Sequence, residues 1–445
     1  MPTTVVNPVA APTDPDAAPR RTAAPAGPAR LSAVAVGPAR WPAAPAGPAR
    51  WRAVAATMFA VAWGGNQFTP LLSMYEHRSA FDHVTVTLLL FAYVVGLAPS
   101  LLAASALAAR FGARRMLLIA LVGSAAGSVM IAAGEHTAGV IFAGRLVIGI
   151  ALGIGMVVGG STLTRLSLDE PGARAGTGAR RSAMSLTAGF GIGAAAAGLV
   201  AQWAPLPART PYLLHVLVCA VAVQMLCRTS NLDHGAPAKG SGPFGRVPSA
   251  FLLLVVPAAP LIFGALGIAY AVLPSFIADE IAGLRTAFAA FLCLLSLGLG
   301  FVTQQLVGTR LPDRRRWLAR PAGVLLIVGG TLMAVYLYGH PSVALTVVAV
   351  AIMGVGYGLV LIGCLLTVER VATPRQLPLL TGITYTLAYL GFGIPTVLAW
   401  LDADLGIDYH TSLLGFAAVA SLAVGLGSLT YRLRRASPGQ RAAVE

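Results

Sequence analysis

The sequence predicts an all-α integral membrane protein of twelve transmembrane helices in two similar six-helix halves. Three observations carry that expectation. The first is composition: 57% hydrophobic residues against 11% charged ones is far from the balance of a soluble domain. The second is a series of twelve apolar runs, each able to cross a bilayer, which takes about 20 residues at roughly 1.5 Å per residue. They show no alternation of polar and apolar positions, so they read as helices, the only open-ended form whose backbone satisfies itself in lipid. The third is repetition. Gly189-Phe190-Gly191-Ile192-Gly193 returns 202 residues later as Gly391-Phe392-Gly393-Ile394-Pro395. Gly153-Ile154-Gly155 returns as Gly354-Val355-Gly356, and Arg114-Arg115 as Arg314 to Arg316. A shared offset near half the chain points to a duplication.

The first six runs lie near 57–75, 84–109, 116–134, 138–163, 183–204 and 211–227; the second six lie near 250–278, 286–308, 321–338, 343–368, 378–400 and 410–431. Loop charge checks this count. Of the 31 Lys and Arg residues, 27 fall in the two termini or in alternate loops, and the other side holds only Arg78, Arg209 and Arg285. Cationic residues collect on the cytoplasmic side, so both termini are predicted cytoplasmic, in a cytoplasmic (inner) membrane. The net charge of +15 then reflects orientation, and with no large soluble region nucleic-acid binding is not expected.

Along the chain, residues 1–52 form a Pro/Ala/Arg-rich arm with the quasi-repeat PAGPAR, VGPAR, PAGPAR. That composition cannot build a core and lacks the apolar stretch of a cleaved signal peptide. Residues 53–227 form the first bundle, 228–248 a Gly/Pro-rich central loop, 249–432 the second bundle and 433–445 a tail. In the first run, Trp63, Asn66, Gln67 and Pro70 share one face. The two amides need partners in mid-membrane, from a substrate or from other helices. Arg145, in the fourth run, is the only charge well inside a span. Burying it costs at least about 2.5 kcal/mol, so it should face protein or a watery cavity, as a structural or a transport residue. His215 in the sixth run either carries a proton or bonds a neighbouring helix. Tyr93, Tyr270, Tyr357, Tyr385 and Tyr389 combine a ring with a hydroxyl and suit either packing or ligand contact. Cys219, Cys227, Cys293 and Cys364 have no metal-binding spacing, and no metal or cofactor is expected. All 16 acidic residues fall in loops, termini or helix ends, with Glu76, Asp82, Asp279 and Glu280 at the outer mouth. That distribution counts against a membrane enzyme and leaves no carboxylate at bilayer depth for proton coupling.

The loop Ala108-Ala109-Arg110-Phe111-Gly112-Ala113-Arg114-Arg115 resembles the signature that the major facilitator superfamily carries between its second and third helices. Arg110, Gly112 and Arg114 fit it, whereas Ala109 stands where the family has an acid; Asp313, before Arg314, would supply that acid in the second copy. Arg145 with Gly149, Gly153 and Gly155 is similar to the family's fourth-helix signature. Gly189, Gly191, Gly193 and Gly198 partly match the fifth-helix motif of its drug-export branch, with Ala194 and Ala197 at two signature positions, so they also read as plain packing glycines. The resemblance implies two bundles related by an axis along the membrane normal, alternating around a central site. It makes Trp63, Asn66, Gln67, Tyr93, Arg145, Tyr270, Tyr357, Tyr385 and Tyr389 candidate substrate contacts. Arg110, Gly112, Arg114, Arg115, Arg145, His215 and Asp313 become candidates for gating or coupling. The expected activity is secondary transport of a small organic molecule by a monomer, as proton-coupled efflux of a drug-like or secondary metabolite. The alternatives are uptake of a sugar or other metabolite, or a non-transporting receptor or enzyme.

Overall fold

The computed structural model describes residues 49–78, 81–168, 177–229, 232, 247–373 and 376–436. Most of the predicted arm and central loop, and the end of the tail, lie outside them. Among the described residues, eleven helices are long and apolar enough to cross a membrane. They are His83–Phe111, Ala113–Ala133, Ala138–Ser167, Thr177–Trp203 and Thr210–Cys227, then Phe251–Phe276, Arg285–Gly308, Arg315–Gly339, Val343–Val371, Leu379–Leu405 and Tyr409–Arg434. They correspond to the second through twelfth predicted runs.

The first run departs from its expectation as a plain apolar span because it is broken. A helix Ala49–Asn66 gives way to a single 3-10 turn, Thr69–Leu71, and a short helix, Leu72–Arg78. Gly64 and Gly65 each weaken a helix by about 1 kcal/mol relative to alanine, just before the break. Pro70 then has no N–H to offer the Asn66 carbonyl four residues earlier. Hydropathy reads through such a break, since Phe68, Leu71 and Leu72 are as apolar as the helix around them.

Large side chains point outward on span after span, with Val122 60%, Leu325 73% and Val419 66% exposed, a surface that lipid covers and water would not. The two halves pack alike. The fifth span closes on the first at Gly189, where a Cβ would strike the Phe59 main chain. The eleventh closes on the seventh at Gly391, where it would strike Pro260 and Gly264. In the same way Gly153 seats the fourth span on Leu97 and Ser100 of the second, and Gly354 seats the tenth on Ser296 of the eighth. Between halves, the fifth span meets the eighth and the second meets the eleventh.

The copies have also diverged. The fifth span is continuous, whereas the eleventh breaks into a 3-10 turn at Gly391–Gly393 before Ile394–Leu405, with Pro395 in its first turn. The fourth span widens into a π turn at Gly155–Gly159, and the seventh does so at Phe251–Val255 and Ile268–Val272. The tenth runs unbroken over Val343–Val371. Such turns recur where helices serve function rather than packing alone.

Replacing Gly391 with Ala is expected to lower the melting temperature of the detergent-solubilised protein, while Gly298→Ala, with nothing within 4 Å of the new methyl, leaves it unchanged; equal effects at the two sites refute the packing argument. Asp82 caps the second span by accepting from the Thr85 main-chain N–H and hydroxyl, and the hydroxyl bond, then burial, then the main-chain bond are the leading influences on a carboxyl that ends below its usual range. Its stabilisation is therefore complete at neutral pH and fades only as pH falls through the lowered value. Asp82→Ala is expected to cost about 1 kcal/mol at pH 7, read from melting curves; a loss that persists undiminished in strong acid contradicts the assignment.

Candidate functional site

Arg145 is completely buried in the fourth span and reaches the break in the first. Its Nη1 donates to the Gly65 carbonyl at 3.1 Å, Nη2 to Leu90 O at 3.1 Å and Nε to Leu89 O at 3.3 Å. The rings of Phe68 and Tyr93 cover it at 4.8 and 4.5 Å. Charged hydrogen bonds are worth about 1.5–3 kcal/mol each, and a desolvated cation over a ring about 2. Together they offset the roughly 2.5–3.5 kcal/mol that an arginine costs at the centre of a span. The guanidinium thus needs no carboxylate, and in this conformation it faces protein instead of an open cavity.

The neighbouring amides are bonded to other helices. Asn66 Nδ2 donates to Phe190 O of the fifth span at 3.1 Å, and Oδ1 accepts from Thr69 Oγ1 at 2.8 Å. Gln67 Nε2 donates to Ser128 Oγ of the third span at 2.8 Å, and Ser128 lies 2.7 Å from His215 Nδ1. His215 Nε2 lies 2.9 Å from the Ala60 carbonyl. A carbonyl only accepts, so Nε2 carries a proton and donates to Ala60. His215 has both ring nitrogens engaged and ties the first, third and sixth spans. Trp63 Nε1 and Gln67 Oε1, on the same face, are buried without a hydrogen-bond partner.

Six rings meet across the halves. Phe263 of the seventh span stacks on Tyr389 at 4.4 Å and on Phe392 at 5.0 Å, both from the eleventh. Tyr357 of the tenth lies 6.5 Å from Phe263, and Tyr270 6.3 Å from Phe392. Tyr93 of the second span stands edge-on to Tyr389 at 6.1 Å and tilted to Phe392 at 5.7 Å, and so joins Arg145 to this lattice. Tyr385 packs against the core a turn away, outside the lattice. Phe263 and Phe392 were not among the sequence candidates. Phe263 precedes Tyr270 by seven residues, two helical turns on one face, and Phe392 lies inside the repeated pentapeptide.

Of the gating and coupling candidates, Arg145 and His215 belong to this buried region, whereas Arg110, Gly112, Arg114, Arg115 and Asp313 lie at the Lys/Arg-rich end. Gly112, at φ 87°, joins the second and third spans without a loop in a conformation suited to glycine. Arg114 Nη2 donates to Cys227 O at 2.8 Å, at the negative end of the sixth helix. Arg110 lies over Phe111 at 5.2 Å, and Arg115 is exposed. Asp313 opens a 3-10 turn, Asp313–Leu318, but its side chain lies outside the described residues. At the opposite end, Gln202 Oε1 accepts from Thr286 Oγ1 at 2.6 Å and clasps the fifth span to the eighth. His83 Nδ1 lies 2.5 Å from Glu76 Oε1 there, beside Tyr409.

The sequence matches the model of the Major Facilitator Superfamily over residues 53–396, and the chain belongs to that family. It has the fold of a secondary transporter. Among solved structures, a variant of the nucleoside transporter NupG superposes with a TM-score of 0.65 at 14% identity, covering 85% of this chain and 98% of that one. A second NupG structure gives 0.62 at 15%, covering 86% and 98%. A POT family transporter in complex with 5-aminolevulinic acid gives 0.61 at 13%, covering 86% and 95%. No curated protein matches the sequence.

Arg145→Lys is expected to lower the melting temperature in detergent, because a single ammonium cannot serve three carbonyls, at about 1–3 kcal/mol for each acceptor left bare. Unchanged melting and unchanged transport would remove Arg145 from the framework.

Proposed function

We propose that this chain carries a small, neutral or amphipathic organic molecule out of the cell by proton-coupled alternating access. In this reading it works as a monomer in the cytoplasmic membrane, with both termini in the cytoplasm and bundles 53–227 and 249–432 as its moving halves. The observation that carries the substrate class is the ring lattice of Tyr93, Phe263, Tyr270, Tyr357, Tyr389 and Phe392 across the two halves. It offers stacking faces and hydroxyls, and among the described residues Arg145, behind Tyr93, is the buried charge beside it. Trp63 Nε1 and Gln67 Oε1 add one unused donor and one unused acceptor.

Inward transport of a nucleoside-like metabolite is the second reading, supported by the same ring faces, which suit a planar heterocycle, and by the likeness to the nucleoside transporter NupG. Coupling is assigned to the Glu76–His83 pair rather than to His215, whose ring nitrogens are both held. That pair lines a small cavity of about 70 Å³ with Ser275, Arg285 and Tyr270, and Asp279 lies 3.9 Å from Arg285.

Purified protein in liposomes provides the test. Flux of a drug-like or nucleoside substrate is expected, accelerated by an imposed pH gradient; its direction separates efflux from uptake, and no flux for any compound refutes transport. Tyr389→Ala is expected to raise KM about tenfold, the equivalent of one stacked ring pair. Glu76→Gln is expected to keep downhill flux while losing its acceleration by the gradient. Retained acceleration moves the coupling elsewhere.

A further inference from the structure

We propose that the cavity at the Lys/Arg-rich end of the second half binds the headgroup of an anionic phospholipid. The cavity measures about 620 Å³ and lies between the ends of the seventh, ninth, tenth and twelfth spans. Arg316 and Arg320 reach it from the ninth, Arg370 from the tenth and Arg432 from the twelfth, and none of the described residues lining it is acidic. Four cations converging from three helices make a strongly positive wall. The side chains of Ser428 and Tyr431 add hydroxyls.

Arg320 is the anchor. It is largely buried, and its Nε lies away from solvent without a hydrogen-bond partner, a costly condition for a guanidinium unless something enters the cavity. Gly363 holds the tenth span against its base: a Cβ there would come within 2.7 Å of the Arg320 main-chain nitrogen. The backbone that carries Arg320 is therefore fixed against the tenth span. Phosphate meets a guanidinium in a two-bond fork, which suits an arginine with a vacant N–H better than a carboxylate-free pocket of lysines would. Arg316 also donates to the Leu311 and Gly308 carbonyls at 3.1 and 2.9 Å.

The rim selects a lipid over a dissolved anion. Leu254, Pro321 and Leu366 line the apolar side of the cavity. Trp317 stands at its mouth 53% exposed, with Leu429 and Leu433 turned outward nearby on the twelfth span. An exposed tryptophan between outward leucines and arginines marks headgroup depth, where a lipid phosphate arrives already tethered and its chains cover the apolar rim. The site lies apart from the ring lattice and stands whichever way substrate moves. It depends only on the chain being embedded in a membrane.

The full chain, reconstituted in phosphatidylcholine vesicles with or without phosphatidylglycerol and then extracted, is examined by native mass spectrometry and thermal melting. Wild type is expected to retain phosphatidylglycerol in preference to phosphatidylcholine and to melt higher with it. Arg320→Gln combined with Arg432→Gln is expected to reduce that retention at least tenfold, and inorganic phosphate is expected neither to compete nor to stabilise. Equal retention of both lipids, or equal retention by the variant, overturns the site; competition by phosphate makes it a site for soluble anions and overturns the lipid assignment. Should the double variant not fold, Arg432→Gln alone, at an exposed position, carries the same comparison. Loss of transport with lipid retention intact would count against the transport reading and leave this one standing.

Discussion

Hydrocarbon provides no hydrogen bonds, so a helix that breaks inside a membrane must find every donor and acceptor within the protein. The first span breaks after Asn66, and Arg145 is the answer to that break. Its three bonds to Gly65, Leu89 and Leu90 hold the first, second and fourth spans at one point. The hydrogen-bonded chain of Gln67, Ser128 and His215 secures the other side of the break to the third and sixth. Five of the six spans of the first half are thereby organised around one irregular turn, and Asn66 brings in the remaining one, the fifth, through Phe190.

The second half solves a different problem with different chemistry. Two of its discontinuities, at Ile268–Val272 and Gly391–Gly393, lie beside rings instead of a cation. Phe263, Tyr389 and Phe392 stack within it, so the polar network belongs to one copy of the duplicated unit and the aromatic network to the other. Equivalent glycine contacts, Gly189 on the first span and Gly391 on the seventh, preserve the common frame beneath that division.

Much of the frame is legible in the residues themselves, because apolar length, loop charge and the glycine repeat each leave a one-dimensional trace. Arg145 could be singled out for the same reason: one charge in an apolar span is conspicuous. Its acceptors could not, since a main-chain carbonyl looks identical at every position. Asn66 and Gln67 were recognisable as groups in need of partners, but choosing between substrate and helix required the distances to Phe190 and Ser128. Phe263 and Phe392 were silent because a phenylalanine facing lipid and one facing another ring have the same hydropathy. The break at Pro70 was hidden in turn by the apolar residues that follow it.

Tyr93 has one face toward a cation of the first half and an edge toward two rings of the second. Any rotation that parts the halves must strip the ring of the second set of contacts while leaving the first in place. Each of these two aromatic pairs is worth about 0.5–1.5 kcal/mol, which together as a population ratio is about five- to 150-fold. The closed arrangement is thus weighted at this position by a few times thermal energy, so a single side chain biases how readily the two halves would part.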